Sequence, residues 1–584
     1  MGIKHFFGWI QRNFDKNIYP LKRGETVMEN MACGKLKLDM VINNLMLDMN
    51  GIFHVSAQKI FEYGSFKKAD AVLFEKKMRK LSVAERVEKQ NLIYSDVCET
   101  IDKLVKVVGP TDRLILCIDG PAPLAKQNQQ RQRRFRAAQE ASKDDFNAFD
   151  SAAITPGTKF MDFLSKYIDW FVRKKISTDE KWRKLEVIFS SEKVPGEGEH
   201  KLLNYYRYYG VKTESFCIYA NDADLIMLTL GAHNERFYVL RDCMYDSSYD
   251  YYILNTPEIA KDIVQSMRFE SEDFNERTAV DDFIFLAFMV GNDFLPNIPS
   301  LEIIQNGIEI MFDVYIKVGE AHGHLTETIK GRGVVFRRDV LRIFLGSIGQ
   351  YERGILEGKY RKKDSFFPDK YLDQNMKLIN GRYELDLAGY KRDYYKHKLE
   401  EADLSEVTRS YLEGMQWVLS YYTRGTPAWR WFYPYNYAPF ASDMADLIDA
   451  YSVPRYKLER PILPFLQLLT VLPPRSAHLL PKPLNTLLCS KTSPMARFCP
   501  RNFPVDLSGK RREWEGLVIL PALEYDEVIK AYNQKVAEVS ERELRRNITG
   551  KSYVYTHDKS RRYFFGSPLG DIPDCNVGVR VIDL

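Results

Sequence analysis

The chain of 584 residues is 45% hydrophobic and 28% charged, the balance of a globular protein with room for more than one domain. A net charge of only +5, from 84 Lys+Arg against 79 Asp+Glu, excludes nucleic-acid binding through bulk positive charge, so any basic surface is local. The eight cysteines form no C-x-x-C pair and no regular spacing, which excludes a zinc ribbon or disulfide framework and points to a reducing, intracellular compartment.

The opening, MGIKHFFGWIQRNF, has no long apolar core and does not read as a signal peptide. Gly2 follows Met1, but Phe6 and Phe7 stand where a myristoylation signal places Ser or Thr. Ile3–Ile10 reads as a short amphipathic helix packed through Phe6, Phe7 and Ile10. Asn44–Met49 reads as a strand ending at Asp48; Asn50-Gly51 then turns the chain into Ile52–Ser56, which contains His54. Charged, helical sequence follows from about Ala69 to Val108. The longest apolar runs, such as Phe283–Val290, are too short to span a bilayer, so no membrane is expected.

A second strand, Leu114–Ile118, ends in Asp119-Gly120-Pro121 and leads into PAPLAKQNQQRQRRFR. On a helix turning about 100° per residue, Lys126, Gln130, Arg133 and Arg134 share an arc of about 100°. Such a face is either solvated or a phosphate pocket, in which Arg supplies a planar fork and Lys a point charge. Ser151–Phe160 turns the chain into an amphipathic helix reaching about Lys174, and Leu185–Phe189 is a third strand. Beyond it, Glu197 and Glu199 are two residues apart, about 200° on a regular helix. Both can face one site only by straddling a loop-to-helix boundary, which Pro195, Gly196 and Gly198 supply.

In CIYANDADLIMLTL, Cys217–Leu230, a buried strand gives way to a polar turn and a helix start. Asp222 and Asp224 leave the strand one residue apart, where ligands collect in an α/β sheet; Asp is also a frequent helix cap. A carboxylate pair in that place suits a hard divalent cation such as Mg²⁺ or Mn²⁺. Arg236–Leu240 reads as another strand, and Asp281–Val290 as an apolar helix stopped by Gly291-Asn292-Asp293. From about Gly319 to Tyr394 the chain is charged, Tyr-rich and weakly patterned. Leu412–Tyr422 is a helix, followed by RGTPAWRWFYPYNYAP, where Trp429 or Trp431 packs a corner or faces a groove.

Taken together, these segments resemble the 5′→3′ exoribonucleases of the Xrn/Rat type. The resemblance rests on MGIKHFFGWI, LMLDMNGIFH, IDGPAPLAKQNQQRQRRFR, ITPGTKFM, VPGEGEHK, NDADLIML and DDFIFLAFMVGNDFLP, then LEGMQWVLSYYTRGTPAWRWFYPYNYAP and LSGKRREWEGLVILP. It implies an α/β, PIN/flap-nuclease-like mixed or parallel sheet flanked by helices, with a second, mainly helical region packed against it. The implied division is a nuclease core over residues 1–318, a connector over 319–394 and a second conserved region over 395–584. Carried over by motif, the metal-binding, catalytic carboxylates are Asp48, Asp119, Glu197, Glu199, Asp222, Asp224 and Asp293. The 5′-phosphate pocket is Lys126, Gln130, Arg133 and Arg134, and His54 with Trp429 or Trp431 stacks on the terminal nucleotides.

The resemblance further implies processive hydrolysis of 5′-monophosphorylated single-stranded RNA to nucleoside 5′-monophosphates, with two Mg²⁺ or Mn²⁺ ions neutralising phosphate charge and activating water. A monomer in the cytoplasm, rather than the nucleus, is the expected form. Three departures stand out. Only 17 residues separate Arg136 from Ile154, where the family carries a longer charged extension. The opening MGIKHFF lacks the proline usual after the third residue, and the accessory C-terminal domains of the long cytoplasmic members are not expected. This abbreviated form suits a viral or otherwise reduced homologue. Two competing readings are a structure-specific 5′ DNA flap nuclease and a nuclease-inactive RNA-binding scaffold. The first calls for a glycine-rich helix-hairpin-helix after the last aspartate, where this chain has FLPNIPSLEII; the second calls for an eroded acidic set, and this one is intact.

Overall fold

Five apolar segments form parallel strands because each is flanked by helical sequence long enough to cross back over the sheet. A computed structural model describes residues 3, 5–32, 34, 41–66, 81–140, 149–243, 246–362, 365–452, 454–457 and 459–584. The strands of the main sheet are β1 (Ile18–Lys22), β2 (Asn44–Asp48), β3 (Arg113–Cys117), β4 (Glu186–Ser190), β5 (Phe216–Tyr219), β6 (Phe237–Asp242), β7 (Tyr249–Asn255), β8 (Ser552–His557) and β9 (Val577–Ile582). Their spatial order is β1-β7-β6-β5-β2-β3-β4-β8-β9. The central five, β6 to β4, are parallel, and the two outer strands on each side run antiparallel to their inner neighbours.

From β2 the chain winds outward through β3 and β4, then returns to place β5 and β6 on β2's other side. The order therefore reverses beside β2, which opens a crevice at the carboxyl ends of β2 and β5. Register brings those ends level: Asp48 lies opposite Cys117, Cys117 opposite Ser190, and Leu47 opposite Tyr219. The carboxylates that follow these strands consequently emerge at one edge.

Alternation along each strand feeds two cores. Met46, Ile115, Ile188, Ile218 and Val239 belong to one core, with helices α1 (Phe6–Asn13), α6 (Gly198–Tyr209), α7 (Asp224–Gly231), α8 (Glu276–Ala287) and α9 (Leu404–Arg424). Leu45, Leu47, Leu116, Val187 and Leu240 belong to the other, with α2 (Met49–Phe61), α3 (Val83–Val108) and α5 (Lys159–Thr178). Helix α4 (Leu124–Glu140) instead packs, through Leu124 and Phe135, into a third core with α10 (Pro464–Val471). No helix among the described residues is long and apolar enough to cross a membrane.

Two expectations change. Asn50-Gly51 does not turn the chain, because α2 begins at Met49 directly after β2 and runs through His54. The helical stretch expected from about Ala69 begins, among the described residues, at Val83, where Ser82 and Glu85 form a capping box; residues 67–80 lie outside the described residues. The second region is mainly helical, as expected, and adds β8 and β9, which complete the main sheet beside β4.

The loops after β3 and β4 are knitted together by Gly120 N–H donating to Gly196 O (2.8 Å) and Gly196 N–H donating to Pro121 O (2.9 Å). A Cβ at Gly120 would lie 1.7 Å from the Val194 carbonyl oxygen, backbone that cannot step aside alone. Gly120→Ala is expected to lower stability by about 2 kcal/mol or more. Gly358→Ala, in open space on a helix, is expected to leave it unchanged or raise it slightly. Thermal unfolding of both variants checks this, and equal melting temperatures would refute the close-packed loop.

Candidate active site

The strand ends, the loops after them and α9 together enclose an acidic centre. Glu197 is the N-cap of α6 and Glu199 lies in its first turn, so the glutamates do straddle a loop-to-helix boundary. Glu197, Glu199 and Asp224 are buried, Asp48, Asp119 and Asp293 half-buried, and Asp222 exposed. Gly198 is required between the glutamates: a Cβ there would lie 2.7 Å from Asp48 Oδ1 and 3.3 Å from Asp119 Oδ1. The missing side chain instead lets Gly198 N–H donate to Asp119 Oδ1 at 2.7 Å.

Crowded carboxylates repel, and the surroundings answer with donors. Asn50 Nδ2 donates to Asp119 Oδ2 (2.8 Å) while Asp119 N–H donates to Asn50 Oδ1 (3.0 Å). The Ile3 backbone N–H donates to Asp224 Oδ1 at 3.1 Å, so the start of the chain reaches the centre. Tyr421 on α9 donates its hydroxyl to Glu197. Lys126, in the first turn of α4, places its ammonium 2.5 Å from Glu197 Oε2 and 2.9 Å from Asp293 Oδ2. Asp293 also accepts from Gln129 Nε2 at 3.3 Å.

Burial, then Asp119 and Asp222, pushes Asp48 well above the usual carboxylate range. Burial likewise raises Glu199 well above it, against the pull of Lys126, and raises Glu197. Burial and Asp293 together lift Asp224 to about 7. Against the upward push of burial, Lys126 holds Asp293 below its ordinary value. This is a centre short of positive charge, and Asp48 Oδ1 is buried with no hydrogen-bond partner. Ligand atoms of Glu197, Glu199 and His200 lie within 4.8 Å of one another. A donor set made up mainly of carboxylate oxygens, one of them orphaned, fits hard divalent cations.

The basic face divides in two. Lys126 joins the acidic centre, whereas Arg133 and Arg134, further along α4, lie close enough to His54 of α2 to act on its imidazole. Burial, then Arg133 and Arg134, depresses the His54 imidazole to about 3, so the ring is neutral. Arg134 is lowered to about 9 by burial and by Arg133, and its Nη1 is buried without a partner. Gln130 is buried and accepts from Gln467 Nε2 at 3.1 Å; Gln467 Oε1 accepts from Ala122 N–H at 2.8 Å. An orphaned guanidinium N–H beside a second arginine offers an anion a charge-assisted fork.

The two tryptophans have different surroundings. Trp431 stacks on Trp417 (5.1 Å between centroids), which stacks on Tyr421 (4.7 Å), forming an aromatic column above Glu197. Trp429 is buried, and its carbonyl accepts the Leu124 N–H (2.8 Å) that opens α4. Tyr421, His200, Asn50 and Gln467 were not singled out from sequence. Of these, Asn50 and His200 sit beside acidic motif residues, whereas Tyr421 and Gln467 read as ordinary members of apolar helices.

A doubly wound sheet with carboxylates gathered at its switch point is the architecture of PIN-like α/β domains. Residues 1–243 match the family model described as XRN 5′-3′ exonuclease N-terminus, and residues 273–384 and 368–568 match that described as Xrn1 helical domain. The chain belongs to the Xrn 5′-3′ exonuclease family. It is 28% identical to 5′-3′ exoribonuclease 1 of Saccharomyces cerevisiae, over 98% of this chain and 46% of that protein. It is also 28% identical to 5′-3′ exoribonuclease 1 of Homo sapiens, over 100% of this chain and 37% of that one. A third relative, 5′-3′ exoribonuclease 2 of Arabidopsis thaliana, is 28% identical over 94% of this chain and 68% of its own length. The chain thus spans less than half the length of the first two relatives.

The raised carboxyl values carry a sign. Unfolded carboxyls ionise near about 4, whereas folded Asp224 ionises at about 7. Between those values the folded state holds the extra proton, so its contribution is full below about 4 and is lost as pH rises through about 7. Divalent cations bind the ionised form and should restore that stability. The rise in Tm on adding millimolar Mg²⁺ or Mn²⁺ is expected to be larger near about pH 8 than near about pH 6, and to shrink in Asp48→Asn. Differential scanning fluorimetry checks this; a rise of equal size at both pH values would refute the cluster as the binding site.

Proposed function

We propose that this protein is a 5′→3′ exoribonuclease that hydrolyses 5′-monophosphorylated single-stranded RNA processively to nucleoside 5′-monophosphates, in RNA decay or processing. The observation that carries the reading is the junction of the two sites on one helix. Lys126, in the first turn of α4, lies inside the carboxylate centre, and Arg133 and Arg134 follow along the same helix where they act on His54. A 5′-phosphate held by the arginines would leave the first internucleotide phosphate within reach of the acidic centre.

Asp48, Asp119, Glu197, Glu199, Asp222, Asp224 and Asp293 would hold two Mg²⁺ or Mn²⁺ ions, directly or through water. When bound, such ions supply charge neutralisation at the scissile phosphate and an activated water. The residues of the chain do the rest. Asn50 and the Gly198 N–H fix the Asp119 carboxylate, while Tyr421 and Lys126 fix Glu197. Arg133 and Arg134 would bind the terminal phosphate, with Gln130 oriented by Gln467. The neutral His54 ring and a tryptophan of the second region would stack on unpaired bases. Support for action at an end comes from α10, which packs along α4 and engages Gln130 of the basic face through Gln467. After each cut the new 5′-phosphate would be recaptured, which makes digestion processive. The seven described cysteines are free thiols, which supports a reducing setting, and we propose a cytoplasmic monomer.

Asp222→Ala or Glu199→Ala is expected to abolish hydrolysis in Mg²⁺ while leaving RNA binding largely intact, because other phosphate contacts supply much of the affinity. A gel-shift and turnover assay on the same preparations checks this, and near-normal turnover would sink the metal assignment. Arg133→Ala/Arg134→Ala is expected to reduce kcat/KM on 5′-phosphate RNA by about a hundredfold or more, since each charge-assisted bond is worth roughly 1.5–3 kcal/mol. A matched 5′-hydroxyl RNA should hardly respond. Equal slowing of both substrates would make the arginines a general RNA track.

A further inference from the structure

A cavity of about 1080 Å³ adjoins the acidic centre on the far side of the loop that carries Glu197. Val194, Pro195 and Gly196 line it, so its wall is the segment leading directly to Glu197. The volume suffices for a nucleotide, since small-molecule pockets run from about 300 to 1,000 Å³. Lys330, Arg332, Arg424, Arg455 and Lys551 line it, while its one acidic side chain is Asp583. Asp583 is engaged by Lys551 at 2.8 Å. That leaves Lys330, Arg424 and Arg455 with no carboxylate partner among the described residues. Arg424 is held in place by donating Nη1–H to Gly331 O at 3.1 Å. Trp429 and Tyr456 add aromatic surface to the same cavity.

The wall shared with the acidic centre contains an unsatisfied group. The His200 side chain is only 4% exposed, yet its Nδ1 has no hydrogen-bond partner. Its Nε2 lies 3.9 Å from Glu199 Oε1, and its ring packs on Tyr421 with centroids 3.7 Å apart. The same imidazole therefore lies beside the Glu199 carboxylate and lines the cavity. A strand that advances toward α4 after each cut blocks the released nucleotide from leaving by the entrance. A cation-lined space next to the carboxylates offers that anion another way out.

We propose that this cavity is a second nucleotide site, which accepts the nucleoside 5′-monophosphate after cleavage, with its phosphate on Arg424 and Arg455 and its base on Tyr456, and releases it to solvent. The product role rests on the exoribonuclease reading; the site's affinity for a mononucleotide anion does not.

Two arms test it on the full chain, in wild type and in Arg424→Glu/Arg455→Glu, whose exposed side chains lie outside the acidic centre. In the first, 8-azidoadenosine 5′-monophosphate is photo-crosslinked and mapped by mass spectrometry. Labelled peptides containing Tyr456 are expected, with labelling reduced at least about tenfold in the variant. Labelling confined to residues 124–140, or unchanged in the variant, overturns the site. In the second, rapid-quench and steady-state rates are compared on 5′-phosphate RNA. The variant should cleave the first nucleotide at the wild-type rate but turn over several times more slowly. Equal slowing of both rates, or an unaltered steady state, overturns the exit role, the latter assigning any labelled site to free nucleotide. Matching melting temperatures exclude misfolding as the cause. A chain that labels in the cavity but never cleaves RNA refutes the exoribonuclease reading and leaves the nucleotide site standing.

Discussion

The mutual repulsion of carboxylates at one sheet edge is the constraint around which this molecule is built. Register alone brings the ends of β2, β3, β4 and β5 level, and acidic residues end or follow all four. Left to itself such a cluster would protonate or splay apart. Here it is held by a distributed set of donors: Asn50 and the Gly198 N–H on Asp119, Tyr421 on Glu197, the Ile3 N–H on Asp224, and Lys126 between Glu197 and Asp293. These donors come from elements scattered along the chain. Assembling the site is therefore inseparable from assembling the fold.

Helix α4 is where the two halves are joined. Its N-terminal turn belongs to the acidic centre through Lys126, and its middle is anchored in the second region. Arg131 donates to Phe498 O (2.6 Å) and Pro521 O (3.0 Å), and Gln467 bridges Gln130 and Ala122. Buried arginines donating to carbonyl oxygens are costly to strip of partners, so the helix is fixed in rotation as well as position. The orientation of Arg133 and Arg134 is thus set largely by residues more than three hundred positions away.

Local pattern carried much of this into view, and its failures have physical causes. Asn44–Met49, Leu114–Ile118, Leu185–Phe189 and Arg236–Leu240 were legible as strands because parallel strands buried on both faces read as unbroken apolar runs. The antiparallel outer strands were not. Ile18–Lys22 contains Pro20, and β8 and β9 mix buried with exposed positions, so neither shows a continuous apolar signal. The carboxylates were legible as strand-end residues, but the residues that restrain them were not. Helical arithmetic groups Lys126 with Arg133 and Arg134, yet it cannot say that the first turn of α4 faces carboxylates. Tyr421 looks like core in an apolar helix, and only the packed structure aims its hydroxyl at Glu197.

The pairing of β8 with β4 sets a schedule for the growing polypeptide. Ser190 Oγ meets Ser552 Oγ at 2.9 Å across 362 residues of sequence. At about 5–20 residues per second, a ribosome needs roughly 20–70 s to cover that separation. Throughout that interval the hydrogen-bonding edge of β4 is unpaired, directly beside the loop that positions Glu197 and Glu199. An open edge of this kind is a template for mispairing. Maturation of the molecule is in this way tied to late translation, with the acidic centre among the last parts to gain its full support.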